Sequence, residues 1–160
     1  MSKSSESLYW LDGDGIEQND DFIKREILEY NKNGGTIYVG SDSMMNCTTC
    51  SFAAVIAFHS RSKKIAKYYY KKLKKRESKY KDVKLKILEE VNIAIQTAQF
   101  VLGICPDANI ELHIDISTEK TNLTSRFYSL VKGWVDGVGF KLKVKPESWA
   151  SSSIADWHTK

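Results

Sequence analysis

TIYVGSDS, residues 36–43, is the stretch on which the fold turns. Thr36, Ile37, Tyr38 and Val39 are β-branched or aromatic, and they read as a short buried strand. The strand runs into Gly40, Ser41 and Asp42, so a carboxylate stands at its carboxyl end. Open α/β sheets bind ligands beyond the carboxyl ends of their parallel strands. Asp42 is therefore the first candidate for a functional group.

Working outward, SFAAVIAFH (51–59) reads as a second strand, and the short link MMNCTTC predicts an antiparallel hairpin. IAKYYYKK (65–72) is a third strand, more polar and nearer an edge. Upstream, Asn19 or Asp20 caps a helix through DFIKREILEYNK, with Phe22, Ile23, Ile27 and Tyr30 on one stripe and Gly34-Gly35 as its stop. Residues 1–18 are polar and rich in Gly and Asp, and they read as a flexible extension. LDGDGIEQND within them is not a calcium loop. It lacks glycine at the sixth position and the closing glutamate.

Downstream, residues 79–102 are helical in period, with Ile87, Val91, Ala94, Ile95, Ala98, Val101 and Leu102 on one face. Pro106 ends that helix, and IELHIDIS (110–117) is a fourth strand. A helix over 121–137, a fifth strand FKLKVK (140–145), and a short terminal helix opened by Pro146 and Ser148 complete the chain. After the leading helix the order is βββαβαβα. That predicts an α/β domain over residues 19–160, a mixed five-stranded sheet covered by helices.

The composition, 42% hydrophobic and 28% charged over 160 residues, is that of a globular domain. No apolar run reaches the ~18–20 residues of a membrane span, and MSKSSES lacks the apolar stretch of a signal peptide. Three cysteines are no disulfide framework, so a cytoplasmic setting with reduced thiols is expected. Net charge is +4 but unevenly spread. Residues 61–86 hold 13 of the 24 bases and two of the 20 acids, a local +11 against −7 for the rest. A basic band on an acidic body predicts a polyanion at one face. Lys71, Lys72, Lys74, Lys75 and Arg76 are the expected phosphate contacts, with Tyr70 or Tyr80 stacking on a sugar or base.

Three further acids join Asp42. Asp115 sits between Ile114 and Ile116 in the fourth strand, where a bare carboxylate is costly to desolvate. If strands one and four are parallel neighbours, the two aspartates meet. Of Glu89 and Glu90 in the long helix, stepping 100° per residue puts Glu89 nearly opposite the core and Glu90 at the stripe's edge, so Glu90 is chosen. Asp156 stands in the last helix, where the dipole disfavours an acid by roughly 0.3–1 kcal/mol. Its neighbours Ala150, Ser151 and Ala155 are small enough for close approach to the sheet. Acids so gathered raise one another's pKa values unless divalent cations neutralise them, and all-oxygen ligation favours Mg²⁺ or Mn²⁺.

With these residues in this order the chain resembles the ribonuclease H-like superfamily. More narrowly it resembles the YkuK-like family of bacterial and phage proteins, through TIYVGSDS, LEEVNIAI, LHIDIS and GFKLKVKPESWASSSIAD. The resemblance covers roughly Phe22 to Asp156 and implies metal-site positions at Asp42, Glu90, Asp115 and Asp156. Met44 stands where a proofreading exonuclease would carry a second acid, which counts against that branch. The expected activity is a metal-dependent nuclease acting on RNA, an RNA–DNA hybrid or structured DNA by a two-metal mechanism. The competing expectation is a nucleic-acid-binding module on the same fold without turnover.

Other features weigh less. Cys47 and Cys50 lack nearby partners for a zinc site. Ser41 and Ser43 have no histidine close in sequence to activate them. His113 shares the face of Asp115 and reads as a satisfied core histidine. His158, just past Asp156, is a candidate proton shuttle.

Overall fold

The computed structural model describes residues 4–6, 9–47, 49–59, 65–75, 78–116 and 125–159. Three long antiparallel strands form the heart of the sheet: β4 (Thr36–Asn46), β5 (Thr49–His59) and β6 (Ile65–Lys75). On the other side of β4 lies β7 (Asn109–Ile114), parallel to it, followed by β8 (Lys141–Lys143), parallel to β7. These are the five expected strands, in a mixed sheet. β5 is buried along nearly its whole length because it is central and covered on both faces, which is why its sequence is apolar without alternation.

Residues 4–6 and 9–18 belong to the sheet, where the sequence had implied a flexible extension. They supply β1 (Ser4–Glu6), β2 (Trp10–Asp12) and β3 (Glu17–Gln18), so the sheet has eight strands among the described residues. β1 and β2 pair in turn with β6, which therefore is not an edge strand. Asp12 closes the β2–β3 hairpin by accepting the backbone N–H groups of Asp14 and Ile16 at 2.9 and 3.0 Å. These backbone bonds, chiefly that from Ile16, hold its carboxyl below the usual range. Trp10 is 4% exposed and its ring lies 6.0 Å from that of Phe100. Strands of two or three residues carry too little periodicity to be read from sequence.

One face of the sheet carries the helices. α1 (Asp20–Lys32) starts at Asn19, whose side chain accepts the Phe22 N–H at 2.8 Å. α2 (Val83–Ile104) starts at Asp82, after a 3₁₀ turn over Ser78–Lys81 that the helical period in sequence had run through. α3 (Tyr128–Gly137) follows a 3₁₀ turn over Ser125–Phe127; the opening of that predicted helix lies outside the described residues. Ile23, Ile27, Ile87, Val91, Val131 and Val135 pack against Ile37, Val39, Ile56 and Leu112 in one apolar core. α2 has the length and apolar composition of a membrane span, yet half of its apolar window is buried against the fold. Its apolarity is that of a core helix.

The opposite face is covered by the chain's end: a π-helical turn over Ala150–Ala155 leading into the four-residue α4 (Asp156–Thr159). Ile154 and Ala155 pack on Ala53, Val55, Ala57 and Tyr70. A Cβ at Gly40 would stand 2.6 Å from the Ala150 carbonyl carbon and 2.8 Å from the Ser151 nitrogen. Small residues on both sides thus permit backbone-to-backbone approach. Gly40→Ala is expected to lift the terminal segment and cost ~1–3 kcal/mol. Thermal unfolding, with proteolysis near residue 150, measures both effects; an unchanged melt and cleavage pattern would mean the segment is not seated on Gly40.

Candidate active site

The parallel β4–β7 ladder ends at the pair Ser41 and Ile114, so the next residues of the two chains are Asp42 and Asp115. Asp42 does not end its strand as the sequence had implied: β4 runs on to Asn46 beside β5, and only the stretch paired with β7 stops at Ser41. Asp115 does not lie within its strand, as the sequence had implied. β7 stops at Ile114, and Asp115 begins the segment beyond it. That placement reduces the cost of its charge: its side chain keeps 22% of its exposure. Its Oδ1 is nonetheless buried without a hydrogen bond, and the Lys145 ammonium 3.1 Å away gives a charge contact lacking hydrogen-bond alignment.

Asp42 is 7% exposed and Glu90 only 4%. Glu90 reaches β4 from the middle of α2, held by two serines inside that strand. Ser41 Oγ donates to the Glu90 backbone carbonyl at 2.5 Å, and Ser43 Oγ donates to Glu90 Oε1. The serines are thus engaged in positioning an acid. Burial first, then the charge of Asp42 and more weakly that of Asp115, pushes the Glu90 carboxyl up to about 8. Glu90 therefore lies within the field of both aspartates. Glu89, one residue earlier, turns the other way and accepts the Lys75 ammonium at 2.7 Å.

Asp156 opens α4, and its side chain lies outside the described residues. The segment carrying it is anchored by a residue whose role the sequence did not show. His113, wholly buried, accepts the Ala150 N–H at Nδ1 (3.1 Å), and its Nε2 meets Glu111 Oε1 at 2.9 Å. Acceptance at Nδ1 fixes the proton on Nε2, and burial lowers the ring's pKa. Trp149, beside Ala150, packs on Tyr38 at 4.8 Å and on His113 at 5.1 Å. Lys145 was likewise missed; its only signal was its place in KVKPESW, just before Pro146.

Among the described residues no group of three His, Cys, Asp or Glu side chains closes around one point. The donors nevertheless suit a hard cation in kind. They are all oxygens, two are nearly buried, and one buried oxygen lacks a hydrogen bond. The cysteines do not form a site. Cys47 is exposed in the β4–β5 turn, while Cys50 is buried and its thiol is pushed up to about 11, chiefly by that burial.

The basic band splits between the two faces of the sheet. Lys71 lies 5.1 Å over the Trp10 ring, and Lys75 contacts Glu89 and the Phe52 ring, both on the helical face. Lys72 and Lys74 alternate with them and point to the face of Asp42. Arg76 lies outside the described residues. The two tyrosines expected to stack on a nucleotide have no open ring face for it. Tyr70 is 6% exposed and its ring is stacked by His158 at 3.6 Å; Tyr80 is 3% exposed against Phe52 and Lys79. Both were drawn in by the core, since a tyrosine ring buries well when its polar tip finds a partner. His158 also meets the Tyr68 hydroxyl at 3.2 Å, which places it over β6.

Comparison with known proteins gives one match: a family model described as Ribonuclease H-like fits residues 20–160. No curated protein and no solved structure matches the chain.

Proposed function

The chain belongs to the ribonuclease H-like family, and from that premise we propose that it is a divalent-metal-dependent nuclease. The observation that carries this reading is the buried Glu90 carboxyl, crowded by Asp42 and Asp115 just past the point where the parallel β4–β7 pairing ends. A binding surface for phosphates gains nothing from three acids in one place, whereas a cation site needs them.

Asp42, Glu90, Asp115 and Asp156 would hold Mg²⁺ or Mn²⁺. Bound there, such ions supply the Lewis acidity for hydrolysing a phosphodiester by a two-metal mechanism. The chain's own contribution is placement. Ser41 and Ser43 fix Glu90 toward β4, and Gly40 with His113 seats the segment that carries Asp156. Lys145 supplies a cation beside Asp115. The narrower likeness to YkuK-like proteins rests on the motifs TIYVGSDS and GFKLKVKPESWASSSIAD, which frame this arrangement.

The test is cleavage of end-labelled RNA–DNA hybrid, duplex RNA, single strands and a four-way DNA junction, in Mg²⁺, Mn²⁺ or EDTA. Metal-dependent cutting of any member is the expected result and identifies the substrate. Binding without cutting would transfer the assignment to a nucleic-acid-binding module. Affinity for the bound member should fall steeply with salt, with a slope of log K on log salt of about −2 or steeper if two or more phosphates are neutralised. A salt-independent affinity would remove the lysines from the interface.

A further inference from the structure

The lysines that share a face with Asp42 also share a cleft with the end of the chain. A cavity of about 220 Å³ opens there, lined by Met44, Asn46, Ser51, Lys72, Lys74 and His158. Cross-strand register fixes where it lies. Asp42 pairs with Ala53 and Ala53 with Lys72; Met44 pairs with Ser51 and Ser51 with Lys74. Residues directly opposite in a sheet point to the same side, so both lysines stand on the face of Asp42. With strands ~4.8 Å apart, the backbone of Lys72 lies about 10 Å from that of Asp42 across one intervening strand.

The lining matches one kind of occupant. Two ammonium groups, a serine hydroxyl and an asparagine amide are anion-binding groups, and no acid lines the cleft among the described residues. His158 serves as a wall: its ring is stacked on Tyr70 and its Nε2 is engaged with Tyr68.

We propose that this cleft seats a backbone phosphate of the nucleic acid some two or three nucleotides from the bond the carboxylates address. The offset follows from about 10 Å of separation and the ~3.4 Å rise per nucleotide of one strand. The inference rests on the nuclease reading and adds a direction to it. The bound strand runs from Asp42 toward β6 past the Ser51 end of β5, because Ala53, between Asp42 and Lys72, is covered by Ile154 and Ala155. Lys71 and Lys75, engaged with the Trp10 ring and Glu89 on the helical face, take no part in the cleft.

The experiment is fluorescence anisotropy with a labelled RNA–DNA hybrid and a DNA duplex of the same sequence, in EDTA so that binding is read without cleavage. Lys72→Gln/Lys74→Gln is compared with Lys24→Gln/Arg25→Gln, which removes the same charge from exposed positions of α1. The cleft pair is expected to weaken binding of both probes about tenfold and to flatten the salt slope by about 2, while the α1 pair leaves both unchanged. Equal effects from the two pairs, or none from the cleft pair, would overturn the cleft and leave the nuclease reading standing. A loss confined to one probe would mean sugar or base readout, and would overturn the phosphate assignment. A wild-type chain that binds neither probe at low salt sinks the nuclease reading and the cleft with it.

Discussion

Asp42→Asn is expected to lower metal-dependent cleavage on the order of 10³-fold while the protein melts no lower than the wild type. The two halves of that result have one cause. Asp42 is nearly buried, and its charge helps push Glu90 up to about 8, so the folded chain holds it at an electrostatic cost. Asparagine keeps the size and a carbonyl oxygen but removes the charge. Repulsion with Glu90 and Asp115 is relieved, and so is the attraction for a divalent cation. Loss of function without loss of stability is what a charge kept for a ligand predicts. A carboxylate kept for structure would show the reverse. The measurement is cleavage of whichever member of the nucleic-acid panel the wild type cuts, beside thermal unfolding of both proteins purified identically. Cutting at the wild-type rate by Asp42→Asn would remove Asp42 from the site.

Glu90→Gln is expected to abolish a pH dependence of stability worth a few kcal/mol, measured in EDTA. In the folded chain the Glu90 carboxyl keeps its proton up to about 8, against an ordinary value of 4.5. Between those values the unfolded chain has lost a proton that the folded chain retains, so stability falls as pH rises. The group's favourable contribution is complete below about 4.5 and gone above about 8. Glutamine can still accept the Ser43 hydroxyl through its carbonyl, and it has no proton to lose. The variant should therefore gain on the wild type steadily as pH is raised through that window. Denaturant unfolding at several pH values reads the difference directly; parallel curves would mean that Glu90 titrates in the ordinary range. Mg²⁺ is expected to narrow the gap above neutrality, because a nearby cation favours the carboxylate.

Much of the fold was legible along the chain. The run TIYVGSDS, the uniformly apolar SFAAVIAFH and the helical stripe from Ile87 to Leu102 each carry a strong local period, and their order dictates a mixed sheet with a parallel β4–β7 pair. With that pair parallel and in the register Ser41 to Ile114, Asp42 and Asp115 follow adjacent positions. The choice of Glu90 over Glu89 also followed from angle alone, and the structure turns Glu89 to Lys75. The strands at the N-terminus escaped because two or three residues hold no period, and what places them is Trp10 entering a core built by distant segments.

The chemistry of the basic band was decided only in three dimensions. Alternation along β6 says that Lys71 and Lys72 point to opposite sides, but both read alike in sequence as free cations. Lys75 acquires Glu89 from α2, Lys71 acquires the Trp10 ring from β2, and Tyr70 disappears under His158 from the last turn of the chain. Lys145 gains its place beside Asp115 in the same way, from thirty residues further along the sequence. The sequence by itself determined the long strands and helices and the acids they bring to the site, because those properties are local and periodic. Which cations remain for a ligand, and on which side of the sheet, depends on partners brought together only when the chain closes on itself.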